Sequence, residues 1–510
     1  MKQEKRTLHT IGLVVAITLL TKILGVVREA LQAGVFGTQP SFDLYTISYN
    51  YTIYIFTTVA YALCVAAVPI ISKRLAQDRE DAFRISGNLI CVSALVSVLV
   101  VVLASLVIHF APVGRWLGVD DTNLPTLRLY LQICTFTLPL IVVIYLLLAV
   151  FQSMEHYTLQ GRLSLPYNLL LIIFLVLFAS SDRVLEYVLV ICFAWLLQFT
   201  MEIPCIVNER FRLIPSLNFR DPDLKLFART TLVTVFTTSI FLLCYLADSN
   251  SVTSFGGGAV SAVYYADKLF TPVATTLIYS ISVVLFPKYN LTYSRVNEQA
   301  YKRYVGSTVE NTLFVIFPFS IMFAVFAVPI IHVLFENGNF NAGSTEMTSG
   351  VFAMYSLGMA GFCVLDLINK AYYTMRKTMA PLLINAVVLG LNIALNLAVK
   401  GSHSSRYIAM TTAISLSVGG IIALICFFSH SRVGLRARKM LKNLAASLLM
   451  GGVLYVCSSC LYTPELSKLL ILLEYCALGL FGAALYAGAC WVLRERETLH
   501  LILQKFRKRA

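Results

Sequence analysis

The apolar run from Leu8 to about Phe36 contains the charged sequence Thr21-Lys22-Ile23-Leu24-Gly25-Val26-Val27-Arg28-Glu29. A run of this length can cross a bilayer as one helix. A charge at the bilayer centre costs about 3 kcal/mol or more, so it normally faces a polar cavity. At about 100° per residue, Lys22 and Glu29 share a helix face and Arg28 lies well away from it. This breadth favours a wide, water-filled, cationic cavity over one buried ion pair. The alternative is that Arg28 and Glu29 only anchor the outer end of the helix.

The composition around this run is that of a membrane protein. The chain has 510 residues, of which 58% are hydrophobic and 13% are charged, whereas soluble domains have about 25% charged residues. Repeated apolar runs of about 18 residues or more between short basic loops predict an all-α, polytopic membrane protein. The net charge of +14 does not indicate nucleic-acid binding, because Lys and Arg occupy short loops rather than one soluble face.

We predict fourteen transmembrane helices with both chain termini in the cytoplasm. Most Lys and Arg residues between the predicted spans lie on the same side as the N-terminus, which the positive-inside rule assigns to the cytoplasm. Arg28 and Glu29 interrupt the zone where a signal peptide would be cleaved, so we expect an uncleaved first span. The predicted spans are 8–36, 43–70, 85–111, 125–151, 163–179, 184–207, 227–247, 259–287, 306–335, 349–375, 381–399, 406–428, 441–462 and 469–493.

Two similar span ends indicate an internal repeat. Span two ends with Val68-Pro69-Ile70-Ile71-Ser72-Lys73 and span eight with Leu285-Phe286-Pro287-Lys288, six spans later and in the same orientation. This predicts two parallel six-helix lobes, an arrangement that usually holds a substrate between the lobes and exposes it to alternate sides. Gly256-Gly257-Gly258, before span eight, is either a hinge or, more commonly, a plain flexible loop. The predicted parts are an N-terminal lobe (1–207), a connector (208–226), a C-terminal lobe (227–428), and a basic linker with a final helix pair (429–510).

The cations inside predicted spans suggest the charge of the substrate. Arg128 and Arg229 lie near span ends and can reach the interface, and Lys370 follows Asp366 at the spacing of an intrahelical ion pair. Lys268 lies about 15 Å inside span eight, and Asp267 beside it is expected to point elsewhere. Lys22, Arg28 and Lys268 together predict a positively charged cleft that attracts an anionic group such as phosphate.

The sequence predicts no cofactor and no metal centre, and it leaves the coupling ion open. It has no G-x-x-x-x-G-K-[ST] run for ATP hydrolysis, so movement would depend on an Na⁺ or H⁺ gradient or on the membrane potential. Asn392 and Asn396 share a face of span eleven as candidate ion ligands, although hydrogen bonding between helices is the more common use of such amides. Asp366 is a further candidate for a cavity-lining acid. The Cys457-x-x-Cys460 pair has no His partners and lies within a span, so we interpret it as packing.

Several motifs together resemble the MurJ/MviN family of lipid II flippases, within the MOP exporter superfamily. The span-one sequence is similar to the family's Ser-Arg-x-Leu-Gly-x-x-Arg-Asp/Glu, and Tyr265-Ala266-Asp267-Lys268-Leu269 is similar to its Tyr-Ala-Asp-Arg-Leu. Leu334-Phe335-Glu336-Asn337-Gly338-Asn339-Phe340 resembles the family's Leu-Phe-x-x-Gly-x-Phe after span nine. The join at Ala371–Pro381 resembles its Phe-Tyr-Ala and Pro pattern between spans ten and eleven. The resemblance covers the whole chain in order.

The resemblance implies a function and a set of substrate-binding residues. The family moves undecaprenyl-diphosphate-linked peptidoglycan precursor across the bacterial cytoplasmic membrane by alternating access and is not enzymatic. Lys22 and Arg28 match its span-one arginines, Lys268 matches its span-eight arginine, and Asp43 matches the acid that opens span two. The first three would contact the diphosphate, and the final helix pair would receive the polyprenyl tail. Candidate substrate-binding residues are Lys22, Arg28, Lys268, Glu29, Asp43 and Asp267.

The same resemblance implies partners, and the chain departs from the family in two respects. We expect membrane lipids and cell-wall synthesis proteins as partners, no nucleic acid, and a monomer.

Two family arginines are lysines here, which keep the charge and lose the bidentate fork. The family's span-two Arg and following Glu-Gly-Ala-Phe are replaced by Phe56-Thr57-Thr58-Val59-Ala60-Tyr61-Ala62-Leu63. This leaves the identity of the glycolipid open between lipid II and another polyprenyl-diphosphate sugar.

Two other function classes compete with a lipid flippase. A drug or cation antiporter of the same fold predicts acidic cleft residues, for which the sequence offers Asp366, Asp267 and Glu29. A membrane-embedded glycosyltransferase predicts catalytic carboxylates in a large external loop. The external loops are short, and Asp120-Asp121 is the only acidic pair in one of them.

Overall fold

The computed structural model consists of helices joined by loops in the part of the chain that it describes. It describes residues 2–156, 158–295, 298–375, 377, 379–429 and 435–493, with the backbone alone at 2–16, 18–19, 237–238 and 278–295. No β-strand occurs within these ranges, so the all-α fold is confirmed. The span-eight motif Phe286-Pro287, Arg376 of the span-ten join, residues 430–434 of the basic linker and the tail after Leu493 lie outside the residues, or the side chains, that are described.

The helices form two compact units, which we describe separately. Unit 1 holds the chain through Ser239 together with Gly256–Ser261 and Asn337–Phe340, and unit 2 holds Ile240–Phe255, Ala262–Glu336 and the chain from Asn341 onward. The first helices are α1 (Lys2–Phe36), α2 (Pro40–Tyr49), α3 (Ile55–Leu75), α4 (Arg79–Phe110), α5 (Val113–Leu117), α6 (Leu124–Thr135), α7 (Leu138–Ser153), α8 (Thr158–Arg162), α9 (Leu165–Leu177), α10 (Val184–Phe199), α11 (Ile203–Asn208) and α12 (Pro222–Thr238). The others are α13 (Ile240–Val252), α14 (Ala259–Arg295), α15 (Glu298–Val325), α16 (Ala327–Phe335), α17 (Ala342–Thr374), α18 (Met379–Val399), α19 (Ser405–Phe428), α20 (Ala437–Leu461) and α21 (Lys468–Val492).

The described helices include many that are long and apolar enough to cross a membrane. Among the described residues, 11 helical segments are long and apolar enough to cross a membrane, or 12 if α12 and α13 form one broken span. The chain is therefore a multi-pass membrane protein, while the count of fourteen stays a prediction. The first and eighth predicted spans correspond to α1 and α14, which have 35 and 37 residues. The predicted lobe limits likewise stay predictions.

Proline breaks several spans that the sequence predicted as continuous helices. The predicted span 125–151 consists of α6 and α7, and the predicted span 184–207 consists of α10 and α11. Pro139 and Pro204 lie in the first turn of the second helix of each pair. Proline has no amide hydrogen to continue the ladder, and it disfavours helical geometry in the residue before it. A π-helical turn, Asn50–Tyr54, similarly interrupts the second span between α2 and α3.

The basic connector after α11 is tightly packed within unit 1. Asn218 donates its backbone N–H to Asn88 Oδ1 at 2.8 Å, and Asn88 Nδ2 donates to the Asn218 carbonyl at 3.2 Å. A Cβ at Gly87 would lie 2.0 Å from the Ile214 carbonyl oxygen, so only glycine permits this approach. Hydrogen bonds from His156 and Arg79 hold the pKa of Glu209 below its usual range. These contacts fix the connector on the ends of α4 and α8.

The final helix pair packs on α15 within unit 2. Tyr486 donates its hydroxyl to the Phe314 carbonyl at 2.8 Å, and the two rings lie 5.2 Å apart. A Cβ at Gly451 would lie 2.3 Å from Ile321 Cγ2, which shows how closely α20 approaches α15. The opposite faces expose leucine, valine and aromatic side chains, as expected of helices that face lipid. One side of the pair is thus core, and the other is available to hydrocarbon.

The triple glycine before α14 is not a loose loop, because it makes a close contact inside unit 1 at Gly258; its use as a hinge stays a prediction. Gly258 has a φ of +90°, and a Cβ there would lie 2.3 Å from the Thr38 carbonyl oxygen. Gly256 has a similar φ of +97°, but its Cβ would meet nothing within 4 Å. The two positions therefore share a backbone conformation that favours glycine and differ in the space available for a side chain.

We predict that Gly258→Ala destabilises the protein far more than Gly256→Ala. Left-handed backbone costs a non-glycine residue about 1–3 kcal/mol at either site, and only Gly258→Ala adds a clash with backbone. The measurement is the melting temperature of the purified protein in detergent. Equal losses in the two variants would show that the close approach to Thr38 contributes nothing.

Candidate functional site

The charged turn of α1 is an ion pair set among aromatic and amide side chains of unit 1. Arg28 pairs with the adjacent Glu29 and donates to Asn168 Oδ1 at 3.1 Å. Its guanidinium lies over the Tyr167 ring, 5.4 Å from the centroid. The side chain of Arg28 is 15% exposed and that of Glu29 is 6% exposed. From the sequence, the charged residues were expected to spread too widely around α1 to form a buried ion pair. This was wrong for Arg28, because neighbouring side chains can bend toward each other although their Cβ positions diverge.

Lys22 lies on a different, exposed face of α1. Ile23 and Val27 are exposed with it, and a Cβ at Gly25 would meet nothing within 4 Å. The interpretation from the sequence that Lys22 is buried was therefore wrong. Its ammonium group, on a long flexible stem, remains accessible to a ligand.

The charged turn of α14, in unit 2, repeats the pairing seen in α1. Lys268 Nζ lies 3.8 Å from Asp267 Oδ2 and 5.0 Å from the centroid of the Tyr264 ring. Asp267 is fully buried and accepts a hydrogen bond from Thr271 Oγ1 at 2.6 Å. The expectation that Asp267 points away from Lys268 was wrong. Each of these two cations thus has a carboxylate and an aromatic ring beside it.

Asp43 holds the start of α14 within unit 1. Its carboxylate accepts hydrogen bonds from the Gly258 N–H at 2.8 Å, the Ser261 N–H at 2.8 Å and Ser261 Oγ at 2.5 Å. The Ser261 N–H is one of the first amides of α14, which have no partner inside the helix, and Gly258 directly precedes the helix. Asp43 therefore has a clear structural role as a cap, and substrate binding by this residue stays a prediction.

A second polar cluster surrounds Asp248 in the core of unit 2. Asp248 Oδ1 accepts from Asn396 Nδ2 at 2.9 Å and from Asn392 Nδ2 at 3.2 Å. Its Oδ2 accepts from Thr412 Oγ1 at 2.6 Å and from the Tyr355 hydroxyl at 3.0 Å. These side chains come from α13, α17, α18 and α19, and all are fully buried or nearly so. The asparagines thus hydrogen bond between helices, which is the use that the sequence favoured.

The sequence interpretation chose a different acid for this cluster. Asp366 pairs with Lys370 at 2.5 Å, which confirms the predicted intrahelical pair, and it takes no part in the hydrogen bonds around Asp248. Asp248 was missed because it lies one residue beyond the predicted end of span seven. The signal that could have found it is an acid followed by Ser249, Asn250 and Ser251 at the end of an apolar run.

The chain is similar to a family of known membrane proteins over most of its length. A family model described as "Lipid II flippase MurJ" matches residues 32–476. The "Probable lipid II flippase MurJ" of Rickettsia prowazekii (strain Madrid E) is 21% identical over 506 residues, which cover 96% of this chain and 98% of that protein. The "Lipid II flippase MurJ" of Burkholderia cenocepacia is 24% identical over 513 residues, with coverages of 93% and 95%. A solved structure described as "Lipid II flippase MurJ, inward closed conformation" shares the fold, with a TM-score of 0.76 and 18% identity over 93% of this chain and 98% of that one.

We predict that Glu29→Gln destabilises the protein and that the double variant Arg28→Gln/Glu29→Gln recovers most of the loss. Removing one partner of a buried ion pair costs about 3–5 kcal/mol, because the other charge is left uncompensated. The partial exposure of Arg28 places the loss near the lower end. A double-mutant cycle on melting temperatures in detergent measures the coupling, and additive losses would contradict the pairing.

Proposed function

The chain belongs to the lipid II flippase MurJ family, and on that premise we propose that it moves lipid II across the bacterial cytoplasmic membrane by alternating access. Lipid II is the undecaprenyl-diphosphate-linked peptidoglycan precursor. The observation that carries the proposal is the family match over residues 32–476. The activity of this family is transport, so the chain is a transporter and not an enzyme.

We assign binding of the diphosphate to Lys22, Arg28 and Lys268. Arg28 offers a planar fork that suits phosphate oxygens, and the two lysines offer mobile point charges. Glu29 and Asp267 hold Arg28 and Lys268 beside aromatic rings. A diphosphate carries more charge and more acceptor oxygens than one carboxylate, so it can compete for the same cations. The acids then keep the buried cations compensated when no lipid is bound.

The final helix pair supplies a groove that suits a hydrocarbon tail. Its volume is about 420 Å³, and it lies between α20 and α21. The lining residues are Leu449, Met450, Val453, Phe481, Ala484, Leu485, Gly488 and Ala489. A polyprenyl chain has no polar groups to satisfy, so an apolar, lipid-facing groove is sufficient to hold it. We propose this groove as the path of the tail.

A specific departure favours a second substrate of the same class. The family's span-two Arg is absent, and the matching residues Phe56–Leu63 carry no charge. The missing cation leaves the family's binding pattern incomplete, so another polyprenyl-diphosphate-linked oligosaccharide is the second candidate substrate. Membrane lipids and cell-wall synthesis proteins remain the expected partners. We also expect a monomeric chain with both termini in the cytoplasm.

We predict that the chain rescues a bacterial strain depleted of its own lipid II flippase and that Lys22→Ala, Arg28→Ala and Lys268→Ala each abolish the rescue. Each variant removes a charge that contacts the diphosphate. Lys22→Arg and Lys268→Arg retain rescue, because they restore the residue of the family. Lys400→Ala, at an exposed loop position, is the matched control and leaves growth unchanged.

The readout is growth at equal membrane expression, with accumulation of lipid-linked precursor measured in the same cells. Failure of the well-expressed wild-type chain would contradict lipid II transport. In that case, rescue of a strain that lacks a flippase for another polyprenyl-diphosphate oligosaccharide would support the second substrate. Resistance to cationic drugs without either rescue would instead support the antiporter.

For the coupling ion we propose a sodium site at Asp248. Its carboxylate, the Thr412 hydroxyl and the side-chain amides of Asn392 and Asn396 meet at one buried point, and hard cations prefer the oxygen atoms of such groups. The two amides present nitrogen to Asp248 here, and a half-turn of each amide would present oxygen to a cation. Asn392 Oδ1 has no hydrogen-bond partner within the described chain, so an acceptor is already available.

We predict that Na⁺ raises the melting temperature of the wild-type protein relative to K⁺ or choline at equal ionic strength and that Asp248→Asn removes the effect. Binding to the folded state stabilises it by mass action, and the amide lacks the negative charge that holds the ion. Asp366→Asn is the control and retains the Na⁺ effect. A wild-type protein indifferent to Na⁺ would rule out this site.

A further inference from the structure

Glu202 differs from the other buried acids of the described chain. It lies in the break between α10 and α11 and is 0% exposed, and neither of its carboxyl oxygens has a hydrogen-bond partner among the described residues. The other buried acids there each accept at least one hydrogen bond, namely Glu29, Asp43, Asp248, Asp267 and Glu310. Buried polar groups are almost always satisfied, so this exception calls for a physical explanation.

The surroundings of Glu202 favour a neutral carboxyl group. An ionised carboxylate without solvent or donors is very costly in an apolar interior, whereas the protonated form is far less so. The nearby ionisable groups are thiols, Cys64 on α3 and Cys205 on α11, both close enough to interact electrostatically with Glu202. Arg162 on α8 lies beyond Cys205, with its Nη2 3.4 Å from the Cys205 sulfur, and Tyr145 on α7 faces Cys64. No cation therefore forms an ion pair with Glu202 among the described residues.

Polar side chains lead from the surroundings of this buried carboxyl toward the protein surface. Gln160 is exposed and accepts a hydrogen bond from Gln152 Nε2 at 3.0 Å. Gln152 Oε1 in turn lies 3.9 Å from the Cys64 sulfur, and Cys64 lies within electrostatic range of Glu202. These polar groups mark the side of unit 1 from which water can approach Glu202 when the backbone there opens.

The backbone at Glu202 is a joint rather than a continuous helix. The N–H groups of Thr200, Met201, Glu202 and Ile203 each bond three residues back, at 3.0, 3.1, 3.0 and 3.3 Å. A short run of this tighter geometry inside a long helix often marks a hinge. Pro204 follows directly and cannot extend the ladder across the break. Ionisation of Glu202 would demand water or a cation at this joint, and a small bend is the least costly way to admit either.

We propose that Glu202 is a proton-binding site of unit 1, protonated while it is buried and deprotonated when the joint between α10 and α11 opens toward solution. The proton leaves the carboxyl oxygen for water that enters the open joint, and it returns from water before the joint closes. The part of this proposal that concerns the transport cycle rests on the proposed function. The proton-binding part does not.

The first experiment compares the pH dependence of melting temperature for wild type, Glu202→Gln and Glu186→Gln, all as full-length protein in detergent. The amide mimics the protonated carboxyl at all pH values, and Glu186→Gln removes an exposed carboxyl from α10, the helix that precedes Glu202. An unfolded carboxyl releases its proton near pH ~4.3 while the folded one keeps it, so the stability contributed by Glu202 falls as the pH rises above that value.

We expect wild type and Glu202→Gln to melt alike near pH ~5 and Glu202→Gln to melt about 2 °C or more higher near pH ~8. Glu186→Gln follows wild type throughout. Parallel curves for wild type and Glu202→Gln would overturn the proton site.

The second experiment uses the rescue assay. We expect Glu202→Gln to reach the membrane at the wild-type level and to lose rescue, and Glu202→Asp, which still titrates, to retain part of it. Full rescue by Glu202→Gln would overturn a role in the cycle even if the melting curves diverge. If the wild-type chain itself fails to rescue, the proposed function fails together with the role in transport, while proton binding is still decided by the melting curves.

Discussion

The energetic cost of placing charge inside apolar helices governs most of this structure. Each cation that the sequence singled out deep in a span has an acid within four residues along its own helix, except Lys22, which is exposed. Arg28 pairs with Glu29, Lys268 lies beside Asp267, and Lys370 pairs with Asp366. Such neighbours reduce the penalty of burial without needing a contact from elsewhere in the chain. A long apolar helix can therefore carry a functional cation and still be stable.

Some patterns local in sequence were predicted well, whereas the pairing of adjacent charges and the contacts distant in sequence were not. Apolar runs predicted the long helices, because length and hydrophobicity alone define a span. The pair of Lys370 and Asp366 followed from its spacing. The contact of Asp248 with Asn396 joins residues that are 148 positions apart, and neither segment alone indicates that the other is its partner. For the same reason, the sequence did not predict the hydrogen bond at the C-terminal end of α1, where the Asn339 side chain donates to the Val35 carbonyl at 2.6 Å.

Breaks in helices were also missed, for a different physical reason. Proline is tolerated in the first turn of a helix, and one proline lowers the mean hydropathy of a span only slightly. A hydropathy profile therefore runs through Pro139 and Pro204 without indicating that a helix ends there. The backbone nevertheless loses a ladder bond at each, and the helix changes direction or geometry there. These joints are where irregular backbone and polar side chains meet inside unit 1, as at Glu202. A hydropathy profile does not reveal them, although proline positions within a span do.

The two kinds of polar contact respond differently to motion. A pair such as Arg28 and Glu29 moves with its helix as one body, so its energy is nearly the same in any arrangement of the helices. The hydrogen bonds of Asp248 come from four helices, and a shift of one helix by about 1 Å is enough to weaken several of them. Local pairs can therefore hold the charges that bind a substrate in every state of a transport cycle. Contacts that join several helices are suited to sense the state, because an ion or a proton bound there is held only in the arrangement that supplies all of its partners.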